Sequence, residues 1–228
     1  MSLPVSSVSL RSVVCLIDRF PALTDVNLEV SEGEVVLLSG GNGAGKTTLL
    51  RLIAGLVPAF SGEVIVLGKN LRINCRAHRD EVALVAHETG CYDELTVREN
   101  LYFFTRSRSQ PTSVADDALD QLGLGRLADT LHGKLSAGQR RRLSIAKALA
   151  VSPRLLLLDE PHAGLDADGR EILDEVLRDA AAKGRTVILA SHEIDRSRAL
   201  ADREIELQSG KTLPVPAGET EPVKPVEA

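Results

Sequence analysis

The sequence predicts an α/β fold built on a mainly parallel sheet with helices on both faces, and three observations carry that prediction. Short apolar runs alternate along the chain with amphipathic stretches of helical period. A glycine-rich turn separates one such run from the helix after it. The run Leu155 to Leu158 is uniformly apolar and ends in two acids, as a strand buried on both faces of a parallel sheet would.

The elements follow in order. Val26, Leu28 and Val30 alternate with polar residues, the pattern of a half-buried strand. Val35 to Leu38 is a short buried strand that runs into the glycine-rich turn and then a helix around Lys46 to Ala54. Gly55 stops that helix and Pro58 follows it. Val64 to Leu67 and Val82 to Ala86 read as strands. From about Glu88 to Ala150 the period turns helical, around Val97 to Thr105, Val114 to Leu122 and Ala137 to Ala150, which predicts an inserted helical subdomain. After the leucine strand comes an amphipathic helix, Asp168 to Ala182, ended by Gly184, then a buried strand, Thr186 to Ala190. A short helix, a strand at Glu204 to Leu207 and a hairpin turn at Ser209-Gly210 complete the order. From about Pro214 the chain is rich in Pro, Glu and Val without periodicity, and disorder is expected over 214–228.

Composition narrows the function classes. With 228 residues, 43% hydrophobic and 26% charged, the chain has the balance of a globular protein and enough length to bury a core. Trp is absent and aromatics are 3%, so that core must be aliphatic. A net charge of −5 argues against a general nucleic-acid binder, and no nucleic-acid partner is expected. Cys15, Cys75 and Cys91 lie far apart without metal or redox spacing, which reads as reduced thiols of a cytosolic protein. The N-terminal stretch lacks the charged and apolar regions of a secretory signal, and no run approaches the ~18 apolar residues of a membrane helix. Work at a membrane would require docking on one.

The chemistry sits in two motifs. Gly40-Gly41-Asn42-Gly43-Ala44-Gly45-Lys46-Thr47 fits G-x-x-x-x-G-K-[ST] and stands between a strand and a helix, the context this motif requires. Its glycines let successive backbone N–H groups turn inward around phosphate oxygens, and the positive end of the following helix adds to the field. Lys46 is expected on the β- and γ-phosphates. The Thr47 hydroxyl is expected on Mg²⁺, with Thr48 as its neighbour. In the second motif, Asp159 at the end of the leucine strand is the candidate to hold Mg²⁺, and Glu160 the candidate to take a proton from the attacking water.

A third segment, Leu135-Ser136-Ala137-Gly138-Gln139, resembles the signature of the ABC ATPase family, which usually reads LSGGQ. Ser136 is placed to cap a helix whose free N–H groups favour anions. The resemblance implies that Ser136 and Gly138, with Gln139 beside them, contact the γ-phosphate held by a second copy of the chain. Ala163-Gly164-Leu165-Asp166 is similar to the family's D-loop. His192, after the strand Thr186 to Ala190, matches its switch histidine and joins Lys46 and Glu160 as a candidate catalytic residue. The resemblance covers about residues 5–213. It implies one ABC ATPase domain over 1–213, of the P-loop NTPase kind, with a parallel core, an antiparallel β subdomain and the helical signature subdomain at about 88–150. It further implies ATP and Mg²⁺, a membrane permease as partner, an ATP-dependent homodimer, and a place on the cytoplasmic face of the membrane.

Two departures stand out. Where the family's Q-loop has glutamine, this chain has His87, counted from Leu95-Thr96-Val97. Where the family stacks an aromatic ring on adenine, this chain has Ile17, and Phe20 is the only ring nearby. The segment His87-Glu88-Thr89-Gly90, with Glu99-Asn100-Leu101 and the alanine-bearing signature, resembles the haem-exporter ATPases of cytochrome c maturation. Other readings are the motor of a drug or lipid exporter, a soluble ribosome-acting ATPase, or a DNA-repair ATPase. The last two kinds usually carry two modules or a long coiled-coil insertion. Tyr92 is either an anchor for the permease or a cover for the helical subdomain.

Overall fold

Two sheets organise the chain, and the sequence of each strand says which face is buried. A computed structural model describes residues 6–86 and 88–213. The first sheet is antiparallel and runs β2-β1-β4-β5, from β1 (Ser6–Ile17), β2 (Phe20–Ser31), β4 (Ser61–Val66) and β5 (Lys69–Asn70). The second runs β10-β9-β3-β8-β7-β6, from β3 (Val35–Ser39), β6 (Val82–Val85), β7 (Leu155–Asp159), β8 (Thr186–Ala190), β9 (Arg203–Gln208) and β10 (Lys211–Thr212). All its neighbours are parallel except the β9–β10 hairpin, which turns at Ser209-Gly210 as expected. The α/β fold with a mainly parallel core and an antiparallel β unit is therefore the one observed.

The twelve-residue strand β1 is absent from the expected elements. Its inward residues lose their alternation because the register with β2 shifts between Leu10 and Val13, where Ser12 takes a φ of 47°. A bulge of this kind changes which face a side chain points to and hides a period of two.

The helices are α1 (Lys46–Ile53), α2 (Val97–Ser107), α3 (Ser113–Gln121), α4 (Ala137–Leu149), α5 (Ala167–Ala182) and α6 (Ile194–Arg198). Both α2 and α4 begin with a capping box, Thr96 with Glu99 and Ser136 with Gln139, which explains why their starts are sharply legible in the sequence. Helices α2 to α4 fall between β6 and β7 in chain order and pack on one another. None of the described helices is long and apolar enough to cross a membrane.

Alternation along the parallel strands divides the core in two. Leu37, Leu156, Leu158, Val187 and Leu189 point into the cluster shared with α2 to α5. Val36, Leu38, Leu155, Leu157 and Ile188 point into the cluster shared with α1 and the antiparallel sheet. Each such side chain contributes roughly 1.5–3 kcal/mol of burial, so the three strands β3, β7 and β8 are rigid supports for whatever their ends carry. The expected tail at 214–228 lies outside the described residues.

Candidate functional site

Strands β3 and β7 both pair with β8, one on each side, so the ends of all three open on one place. Adjacent strands lie ~4.8 Å apart, which puts the loops after β3 and β7 roughly 10 Å from each other. In parallel sheets, ligands bind at this carboxyl edge.

The loop after β3 needs its glycines for close approach. A Cβ on Gly40, at a φ of 133°, would stand 2.2 Å from the Leu207 carbonyl oxygen. One on Gly45, at a φ of 107°, would meet Leu23 Cδ2 at 2.9 Å. Between them the backbone curls so that Lys46 Nζ donates to the Gly40 carbonyl at 2.6 Å and to the Gly41 carbonyl at 3.2 Å. The ammonium is thus held across its own loop, 7% exposed, over the N-terminus of α1.

Asn42, Gly43, Ala44, Gly45, Lys46, Thr47 and Thr48 line a cavity of about 480 Å³, and Asp159, Glu160 and His192 line it from the other strands. Three parts of the sequence that were read separately therefore meet in one space. Pro21, Ala22, Ser209 and Gly210 complete the wall and were not foreseen. Ser209-Gly210 is visible in the sequence as a turn. Only the fold shows that Gly210 donates its N–H to the Ala44 carbonyl at 2.9 Å and accepts from the Thr24 N–H at 2.8 Å, tying the turn to the loop. The exposed ring of Phe20 directly precedes this wall.

Glu160 occupies the left-handed region, with a φ of 48°, just past the end of β7. That conformation is costly for a residue with a side chain and persists only where its surroundings impose it. Its carboxylate accepts the His192 backbone N–H at 3.0 Å and lies 3.3 Å from His192 Nε2. Asp159 is half-buried beside it.

Thr47, Asp159 and Glu160 also line a second, larger cleft of about 690 Å³, which Ala137, Arg140, Arg141, His132, Ala163 and Gly164 close from the α4 side. Ser136, Gly138 and Gln139 are not among the residues lining the phosphate-loop cavity. The Ser136 hydroxyl accepts the Gln139 N–H at 3.2 Å, and the Gln139 side chain accepts the Ser136 N–H at 2.9 Å, so both cap their own helix. Ser136 and Ala137 face outward. A Cβ on Gly138 would stand 2.9 Å from the Gly164 carbonyl oxygen. The geometry thus accepts alanine at the third signature position and excludes it at the fourth.

His87 lies outside the described residues. The loop after it is firmly held. Asn100 accepts the Tyr92 N–H at 2.8 Å and donates to the Tyr92 carbonyl at 3.0 Å. Buried His132 pairs with Asp93 at 2.6 Å, and Lys147 Nζ donates to the Thr89 and Gly90 carbonyls. Burial lowers the basicity of Lys147, and the neighbouring Cys91 opposes that shift. The loop displays Tyr92, 52% exposed, edge-on to Phe103, 55% exposed, with ring centroids 5.4 Å apart.

Comparison with known proteins agrees with this arrangement. Residues 23–163 match the family described as ABC transporter. The chain is 36% identical over 185 residues to the cytochrome c biogenesis ATP-binding export protein CcmA of Aliivibrio fischeri, covering 81% of this chain and 91% of that one. It is 35% identical to the Nod factor export ATP-binding protein I of Rhizobium meliloti, over 92% of this chain and 64% of that one. It is 36% identical to the sulfate/thiosulfate import ATP-binding protein CysA 1 of Agrobacterium fabrum, over 85% of this chain and 58% of that one. The chain thus spans less than two thirds of the length of these last two relatives. Among solved structures, the dimeric bacterial ABC transporter cassette MJ0796 superposes with a TM-score of 0.84 at 27% identity, over 91% of this chain and 97% of that one.

Proposed function

The chain belongs to the ABC transporter family as an ATP-binding, ATP-hydrolysing subunit, and from that premise we propose that it is the motor of an exporter, most similar in kind to the haem exporter of cytochrome c maturation. The observation that carries the site reading is the meeting of Lys46, Thr47, Asp159, Glu160 and His192 around one cavity. Lys46 leaves the Gly40 and Gly41 carbonyls for the β- and γ-phosphates of ATP, while the N–H groups of Gly43 to Thr47 surround the phosphate oxygens. The Thr47 hydroxyl and the Asp159 carboxylate are hard oxygen donors facing the same space, a set that suits Mg²⁺ shared with substrate phosphates. Bound there, the ion would neutralise phosphate charge. Glu160 takes the proton of the attacking water, and His192 steadies that carboxylate through its backbone N–H.

Signature residues Ser136, Gly138 and Gln139 lie outside this cavity, which supports a site completed by a second copy of the chain. Two chains face head to tail, and each nucleotide lies between the phosphate loop of one and the α4 terminus of the other. His87, at the start of the segment leading to α2, contributes to the same nucleotide. The domain spans 1–213, with the helices of 88–150 as its inserted subdomain. Its held loop at Thr89 to Asp93 presents Tyr92, beside Phe103 of α2, to a membrane permease, and the chain works on the cytoplasmic face of the membrane.

The cargo assignment rests on the relative whose length is covered to 91%, and on the alanine in the signature. A second reading, another exporter, is supported by the Nod factor relative, which covers 92% of this chain. Deletion of the protein in its source organism separates them. Loss of mature c-type cytochromes, with haem recovered from the purified transporter, supports the first. Normal cytochrome content overturns it and leaves the second.

A further inference from the structure

Three arginines follow the signature, and a helix turns ~100° per residue, so Arg140, Arg141 and Arg142 leave α4 in different directions. Arg140 donates back to the Gly133 carbonyl at 2.9 Å, and Arg142 reaches the Leu122 carbonyl at 3.4 Å. Arg141 points inward and is only 8% exposed. Its Nη1 donates to the Ala86 carbonyl at 2.6 Å. Nη2 donates to the Asp159 carbonyl and, at 2.8 Å, to the Glu160 carbonyl. Nε reaches the Pro161 carbonyl at 3.3 Å.

A buried cation whose donors all go to backbone carbonyls needs a reason, because burying an ion costs several kcal/mol. Desolvation lowers the basicity of this guanidinium, and the nearby Asp159 and Glu160 carboxylates work against that. The carbonyls it gathers are those of three consecutive residues, 159 to 161, and the one just past the end of β6. Within that stretch Glu160 is held at a φ of 48°. A planar fork of five donors can serve carbonyls on two strands at once, which a lysine ammonium on a flexible stem cannot reproduce.

We propose that Arg141 is a positioning residue for ATP hydrolysis: anchored in the signature helix, it clamps the backbone of Asp159 to Pro161 and so aims the Glu160 carboxylate at the attacking water. The proposal rests on Glu160 as the proton acceptor. It makes α4 a mechanical part of the chain's own hydrolytic centre, since any rotation of that helix pulls on the turn that carries Glu160. The Arg141 side chain donates to none of the residues Gly40 to Thr47 and reaches Asp159 and Glu160 through their backbone carbonyls alone, so nucleotide affinity and turnover separate.

The experiment uses the full chain with ATP and Mg²⁺, measuring ATP affinity by a fluorescent analogue, turnover, and unfolding in denaturant. Arg141→Gln should lower kcat at least tenfold while the Kd for ATP stays within threefold. Arg141→Lys keeps the buried charge and should fall between that variant and the wild type, which covers the case in which Arg141→Gln does not fold. In a Glu160→Gln background, Arg141→Gln should change the remaining rate by less than threefold, because the group it positions is gone. Wild-type kcat in both Arg141 variants overturns the proposal. So does an equal loss of affinity and turnover, or a further tenfold loss in the Glu160→Gln background. Wild-type turnover in Glu160→Gln alone refutes the role of the carboxylate instead, which the tenfold effect of Arg141→Gln would then survive as a separate fact about the turn.

Discussion

The phosphate loop and the signature region are anchored in opposite ways. Around Gly40 to Lys46 the backbone is held by close approach of main chain to main chain, and the one long side chain closes on its own loop. Around α4, beyond the close approach of Gly138 to the Gly164 carbonyl, long cationic or polar side chains cross the gap: Arg141 to the ends of β6 and β7, Lys147 to Thr89, His132 to Asp93. The first arrangement is stiff and local. The second is a set of struts, each of which ties one element to another. A motor needs both, a fixed grip on the nucleotide and a connection that shifts when the nucleotide changes.

Breaking the grip should have the largest effect. Lys46→Ala removes the only cationic side chain of the loop, and ATP hydrolysis should fall at least a hundredfold, about 2.7 kcal/mol in the barrier. Wild-type hydrolysis by that variant would remove the phosphate-loop assignment altogether.

Next comes Glu160→Gln, which keeps shape and hydrogen bonding and loses the proton acceptor. It should bind ATP, turn over at least tenfold more slowly and accumulate as a dimer on sizing chromatography with ATP and Mg²⁺. Adding Ser136→Arg, at the exposed cap of α4, should abolish that dimer while binding persists. A monomeric Glu160→Gln that still hydrolyses ATP would mean that the two regions do not meet across copies.

Two of the struts, Lys147 and His132, end on the Tyr92 loop, and Tyr92→Asp tests whether they lead anywhere. Because the ring is 52% exposed, the variant should fold and bind ATP as the wild type does while co-purifying less with the permease. Unchanged attachment would reduce Tyr92 and Phe103 to a cover for the helices.

The smallest effect should come from pH, and it belongs to the phosphate-loop half. His78 is fully buried, with Nε2 2.7 Å from the Ile53 carbonyl at the end of α1, and burial lowers its pKa from 6.5. The unfolded chain therefore binds a proton near pH 6.5 that the folded chain refuses. Stability from this group is complete above that value and declines as pH falls below it, by at most about 1.4 kcal/mol per pH unit. Denaturant melts of the wild type and His78→Gln between pH 7 and 5 should differ in slope in that sense. Parallel slopes would show that α1 ends without a titrating anchor.

Legibility in the sequence follows the same division. The phosphate loop, the leucine strand with Asp159 and Glu160, and the capping boxes of α2 and α4 are local patterns, in which a few adjacent residues dictate a few adjacent dihedral angles. Each could be read from one dimension. Strand β1 could not, because the bulge at Ser12 breaks its alternation and because buried Ser7 and Ser9 do not look like core residues. The walls of the cavity at Ala22 and Gly210 were equally invisible, since they belong to segments almost the whole chain apart.

By itself, then, the sequence determined the α/β alternation, the glycine-rich loop between a strand and a helix, and the pairing of a buried strand with two acids. Tertiary structure alone decided that His192 lies against Glu160, that Gly138 must clear the Gly164 carbonyl, and that one of three successive arginines enters the core. The physical reason is range. Dihedral preference and capping act over a few residues, whereas the use of a long side chain depends on which carbonyls the packed strands leave within its reach.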